Sequence, residues 1–185
     1  MNNLFFIGYD AGDLIKNTLR EELSVCGGII IEKEFENELP MSAILRQPAA
    51  FAGYPGLDEW KLYKFSGRDL YKDNEALRSH GKQLLDEALY YEKAVLCGIG
   101  GYDLLIPQFR ESLLTLLNSD VPCIGTIADS DEILALQSIF GLGEKLPEFN
   151  SSFINALKSD NESTVIDFSS VPLPEAQNCI KHWLI

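Results

Sequence analysis

The chain has 185 residues, of which 46% are apolar and 23% charged, ordinary values for one globular domain that needs no disulfide or metal staple. Fifteen basic against 28 acidic residues give a net charge of −13. A field of that sign repels phosphate backbones and anionic lipid, so neither nucleic acid nor a membrane surface is an expected partner.

Leu4 to Gly8 is a short apolar run ending in glycine and reads as a buried strand. A helical pattern opens at Gly12-Asp13, with Ile15, Leu19 and Leu23 four apart on one face, and stops at Gly27-Gly28. Gly28 to Ile31 is a second buried strand, running into an acidic stretch, Glu32 to Glu38. Residues 40–67 hold Pro40, Pro48 and Pro55 and no steady period, and read as a surface excursion with a short strand at Trp60 to Phe65. Asn74 to Glu92 is helical, with Leu77, Leu84, Leu85, Ala88 and Leu89 on one stripe. Ala94 to Cys97 is a third strand, followed by Gly98-Ile99-Gly100-Gly101. Leu104 to Leu117 is a helix kinked or started at Pro107. Val121 to Ile127 is a fourth strand, and Asp129 to Phe140 a helix capped by Asp129 or Ser130. Residues 141–163 are mixed, with a short helix over Phe149 to Leu157. Thr164 to Phe168 is a fifth strand and Pro174 to Leu184 a terminal helix.

Strands apolar throughout and separated by helices predict one three-layer α/β domain over residues 1–185, with a mainly parallel sheet of about five strands and helices on both faces. In such folds ligands sit at the carboxyl ends of the strands. Those ends are Gly8 to Asp13, Glu32 to Glu34, Gly98 to Asp103 and Ile127 to Asp129. Cys26, Cys97, Cys123 and Cys179 include no C-x-x-C pair and read as reduced thiols. His80 and His182, the only histidines, leave no Cys/His zinc site and no Ser-His-Asp triad. The start, Asn2-Asn3-Leu4-Phe5-Phe6-Ile7-Gly8, is too short and uncharged for a signal peptide. No apolar run approaches the ~20 residues of a membrane span, so a cytoplasmic protein is expected.

A strand, a glycine-containing loop and a helix at the start of an α/β chain are the setting of a phosphate-binding loop, G-x-x-x-x-G-K-[ST]. The stretch here is Gly8-Tyr9-Asp10-Ala11-Gly12-Asp13-Leu14-Ile15-Lys16-Asn17. With the helix ending Leu19-Arg20-Glu21-Glu22-Leu23, the segment Gly27 to Glu32, the strand and loop Ala94 to Leu104, Phe109 to Leu113 and Val121 to Thr126, the chain resembles the small P-loop nucleoside triphosphatases of the thermophilic and cancer-related group. That resemblance implies a P-loop fold, Mg²⁺ and hydrolysis of nucleoside triphosphates. The chain departs from it at the catalytic residues. With Gly8 as the first motif glycine, Asp13, Leu14 and Ile15 stand at the last glycine, the lysine and the hydroxyl. With Gly12 as the last glycine, Asp13 takes the lysine position. In the second motif Cys97 and Gly98 stand where the family has Asp and Glu. An aspartate about 4 Å from a phosphate charge costs roughly 4 kcal/mol where a lysine would gain about as much.

Several weaker constellations remain. Asp10, Asp13 and Asp103, with Glu32, could hold Mg²⁺ directly, or serve only as caps and solvated acids. Gly98, Gly100 and Gly101, with Tyr102, could form a backbone nest for an anion, or a tight turn. Cys97 could be a nucleophile or a core thiol. Phe51, Tyr54, Trp60, Tyr63 and Phe65 could form a lid or partner surface, or fold back on the sheet. His80 and Lys82 read as a solvated helix face. The ligand-binding candidates are therefore Gly8, Asp10, Gly12, Asp13, Gly98, Gly100, Gly101, Tyr102 and Asp103, and no catalytic residue is assigned. The expected function is that of an inactive P-loop homologue, a binding or regulatory module with a protein partner or a second copy of itself. The alternatives are an enzyme with a rebuilt carboxylate–Mg²⁺ site for a phosphorylated small molecule, or a nucleotide binder without catalysis.

Overall fold

The structure is a computed structural model and describes residues 2–54, 57–141 and 145–185. Pro55-Gly56 of the expected excursion and residues 142–144 of the expected mixed stretch lie outside the described residues. Eight strands form one sheet: β1 (Asn3–Ile7), β2 (Gly27–Glu36), β3 (Leu39–Arg46), β4 (Glu59–Ser66), β5 (Asp69–Lys72), β6 (Ala94–Ile99), β7 (Cys123–Ile127) and β8 (Ser163–Asp167), in the order β5-β4-β3-β2-β6-β7-β1-β8. Strands β2, β6, β7, β1 and β8 run parallel, and they are the five that the sequence predicts. The other three hang from β2 as an antiparallel meander.

The sheet therefore has eight strands rather than five, and residues 40–67 are not a surface excursion. Most of that stretch is β3 and β4, and the short strand expected at Trp60 to Phe65 lies inside β4. Its irregular period follows from two register shifts, at Glu34/Phe35 and at Ala43/Ile44. Each shift interrupts the alternation that a regular strand would show.

The helices are α1 (Ala11–Thr18), α2 (Lys82–Ala88), α3 (Pro107–Leu117), α4 (Ser130–Phe140), α5 (Lys145–Ser159) and α6 (Leu173–Leu184). The helix expected from Gly12 to Leu23 ends at Thr18. A wide π turn, Ala76–Gly81, leads into α2, and α3 starts at Pro107. Helix α5 is longer than the Phe149–Leu157 segment expected.

Alternation along each strand divides the core in two. On β1, Phe5 joins Ile29, Ile31, Leu96 and the inner sides of α2 to α5. Leu4 and Phe6 join Ile30, Val95, Cys97 and residues of α1 and α6. Helix α1 therefore covers one face while α4 covers the other. The connection from β1 and the connection from β7 leave the sheet in opposite directions. Strands β1 and β7 are neighbours, so a crevice opens between their carboxyl ends, where ligands of open α/β sheets bind. No helix among the described residues is long and apolar enough to cross a membrane.

Candidate functional site

The first loop is short. Only Gly8, Tyr9 and Asp10 join β1 to α1. The Gly12 amide donates to the Tyr9 carbonyl at 2.9 Å and so closes the first helical turn. Five loop residues wrapping a phosphate do not fit in a three-residue connection. Gly8 adopts φ +117°, a conformation that favours glycine. Asp10 sits at the helix N-cap but its side chain accepts no capping hydrogen bond.

Lys16, one turn further on, is the only cation on α1. Its Nζ lies 2.8 Å from Asp13 and 3.3 Å from Glu32 on β2. It also lies 4.9 Å from the centre of the Phe51 ring, with Arg46 on the same ring at 5.9 Å. Burial works against the charge of Lys16, but the hydrogen bonds and charges of Asp13 and Glu32 outweigh it and hold its pKa above the ordinary lysine value. The space between Lys16, Gly12, Gly98 and Thr126 is about 10 Å³, no more than one water. Asp13 and Glu32 thus meet through Lys16 rather than around a metal. Among the described residues no three His, Cys, Asp or Glu groups stand close enough to hold a metal ion. The Mg²⁺ that the resemblance implies does not fit the second motif either. Gly98 has no side chain, and the buried Cys97 thiol is pushed up to about 12 by desolvation.

The glycine turn after β6 is occupied by the chain itself. Asp103 Oδ2 accepts from the Gly100 amide at 3.0 Å, and Oδ1 from the Gly101 amide at 2.8 Å. Of the two readings the sequence leaves open, the tight turn describes this segment, with its two free amides satisfied by the Asp103 side chain. Gly100 keeps φ +87°, with Ile127 too close for a Cβ, at 2.6 Å. Asn150 on α5 ties the same turn to β7 by donating to the Gly100 and Ala128 carbonyls. Burial pushes the Asp103 pKa up, against Lys33 and the two amides, which pull it down.

Lys33 and Glu132 are not singled out by the sequence, and Tyr63 only as part of the aromatic segment. Lys33 Nζ donates to Glu132 Oε1, and both side chains are 4% exposed. Sheet register sets Lys33, Ala43 and Tyr63 in one row across β2, β3 and β4. The Tyr63 hydroxyl is buried and has no hydrogen-bond partner among the described residues. Burial, then the Glu132 and Asp103 carboxylates, push its pKa well above the ordinary tyrosine value. Tyr9 closes the row from the other side. Its hydroxyl donates to the Lys33 carbonyl at 2.9 Å and accepts from the Lys33 amide at 3.0 Å. One cation and two carboxylates thus share a buried space under α4. A lysine between Glu32 and Glu34 in an acidic run gives no sign in sequence of being buried.

No family model, no curated protein and no solved structure matches the chain.

A cleft opens at the carboxyl ends of the strands. It holds about 910 Å³ between the ends of β1, β7 and β8, with Phe35 and Glu38 at one side. Asp10, Asp129, Asp131 and Glu132 are among its walls, and among the described residues no lysine or arginine is. Asp129, one of the two caps the sequence allows, is the N-cap of α4 and accepts from the Glu132 amide at 2.8 Å.

The aromatic segment folds back on the sheet. Phe51 caps Lys16, Trp60 stacks on His80 at 4.5 Å, and Tyr63 enters the core, while Tyr54 stays exposed. His80 is therefore half-buried against Trp60 rather than on a solvated face. Tyr102 is 5% exposed and stacks on Phe140, so it presents no surface for a ligand.

The thiols carry a direct expectation. Burial pushes Cys97 and Cys123 up to about 12 and Cys26 up to about 11. Their thiolates are scarce at neutral pH. Titration of the native protein with Ellman's reagent at pH 8 should release rapidly only the equivalent from the half-buried Cys179. The other three should react only after denaturation. A second fast equivalent in the native protein would contradict this burial.

Proposed function

We propose that this chain is a non-hydrolysing relative of the small P-loop nucleoside triphosphatases that works as a binding or regulatory module. One observation carries the reading. Lys16, the only α1 cation that could meet a phosphate, is neutralised by Asp13 and Glu32 and roofed by Phe51, with about 10 Å³ beside it. A triphosphate there would have to displace two carboxylates, each repelling it by a few kcal/mol. The five-strand parallel unit with a strand–loop–helix at its start supports descent from such an enzyme. The short first loop, the Asp103-filled turn and Cys97 support loss of its chemistry.

The test is a thermal-shift screen of the purified chain with ATP, GTP and NAD, each with and without Mg²⁺, together with a phosphate-release assay. A nucleotide at 100 times its dissociation constant would add ~2.7 kcal/mol, a shift of several degrees. The expected result is no shift and no release. A nucleotide shift without turnover would replace this reading by the non-catalytic nucleotide binder, and Mg²⁺-dependent release would overturn it outright.

A further inference from the structure

We propose that this chain associates head to tail with further copies of itself, the basic outer edge of β5 in one copy adding as an antiparallel strand to the acidic outer edge of β8 in the next. The two strands end the sheet on either side. Among the described residues, Leu70, Tyr71 and Lys72 make no backbone hydrogen bond beyond the ladder to β4, and Thr164, Val165 and Ile166 make none beyond the ladder to β1. Alternate amides and carbonyls of both strands therefore point outward, a template for one more strand. The directions match. Strand β8 runs parallel to β1 and β2, and the chain reverses at β3, at β4 and again at β5, so β5 runs opposite to β8. A second copy that continues the sheet in the same orientation thus sets its β5 antiparallel to β8.

Charge names the occupant. Lys61, Lys64, Arg68 and Lys72 crowd the β4–β5 hairpin of a chain whose net charge is −13, and none of them forms an ion pair among the described residues. Glu59, at the start of β4, is already paired with Arg46. Strand β8 has Asp160 and Glu162 just before it and Asp167 at its end, and none of these is in an ion pair among the described residues. Lysines on an edge strand deter a second edge of the same kind. Two β5 edges would bring cations together and two β8 edges carboxylates, so only the unlike edges attract. One register satisfies charge and burial together. With Val165 opposite Leu70 of the next copy, Asp167 meets Arg68, and Lys72 stands opposite Ser163, beside Glu162. Val165 and Leu70 pack against the same one of the two cores, so their row continues across the joint on one face of the sheet. The joint unites unlike surfaces and leaves a free edge at each end, so further copies can add. Strands of four and five residues make a small contact, and the association is therefore weak and salt-sensitive. This inference rests on the two edges alone and does not depend on whether the Lys16 position takes a nucleotide.

The test is sedimentation velocity of the full chain over a range of concentrations, at low ionic strength and in about 0.5 M NaCl. The expected result is a mass that rises with concentration above that of one chain and falls back in the salt. Lys72 and Glu162 are exposed and lie outside the ion pairs of the described residues, so changing either should leave the melting temperature unaltered. Lys72→Glu and Glu162→Lys should each weaken association about tenfold. An equimolar mixture of the two variants should regain it, because every β5 edge then finds a β8 edge of opposite charge. Arg20→Glu, in the turn after α1 and on neither edge, should change nothing. A mass of one chain at every concentration would overturn the proposal. So would association that ignores both edge changes, or a mixture that associates no better than its two components.

Discussion

Replacing Lys33 by methionine should cost the fold about 3–5 kcal/mol, the price of a buried ion pair with one partner removed. Lys33 sits among two carboxylates that α4 and the turn after β6 hold out of water. Methionine fills the same volume, so the loss is electrostatic rather than a cavity. Glu132 is then left without its hydrogen bond, and Asp103 without the nearest opposite charge. Urea unfolding followed by circular dichroism reads the change as a shift of the midpoint. The double variant Lys33→Met with Glu132→Leu should recover most of the loss, because it removes the charge together with its counter-charge. A single variant within about 1 kcal/mol of the parent would show that water reaches the pair and screens it.

Gly125→Ala should cost about 4 kcal/mol or more and leave little folded protein. Gly125 pairs with Leu96 in the middle of the parallel sheet. A Cβ there would lie 1.9 Å from the Leu96 carbonyl oxygen, and backbone in a central strand cannot step aside as a side chain can. The contrast is Gly12→Ala. Gly12 lies in α1, where a Cβ would meet nothing nearer than Thr126 Oγ1 at 4.0 Å. Alanine there should be neutral or stabilising by up to about 1 kcal/mol, from helix propensity. Expression yield and denaturant midpoints of the two variants give the comparison. Equal midpoints would mean that β6 and β7 are not paired as described. A damaging Gly12→Ala would mean that the first loop needs close backbone approach after all.

The inner parallel strands were legible because a strand buried on both faces is apolar along most of its length, whereas the edge strand β8 is only half-buried. Gly28 to Ile31 and Ala94 to Cys97 are such runs, short and each bounded by glycine at one end. The α4 cap was legible because Asp129 and the Glu132 amide are three residues apart, a local interaction. The strands β3 to β5 were not, because two register shifts break their period and β5 is short, exposed and charged.

The buried Lys33–Glu132–Asp103 group was decided only by tertiary structure. Lys33 and Glu132 are 99 residues apart, and Lys33 reaches Tyr63 only through the register of three strands. The cleft has the same origin, since the strand order that puts β1 beside β7 brings Asp10 to Asp131 across the sheet's carboxyl edge. By itself the sequence determined what each segment can bury, because that depends on neighbours along the chain. Which charges are buried together, and which carboxylates face one cleft, depends on chain crossings that leave no local pattern.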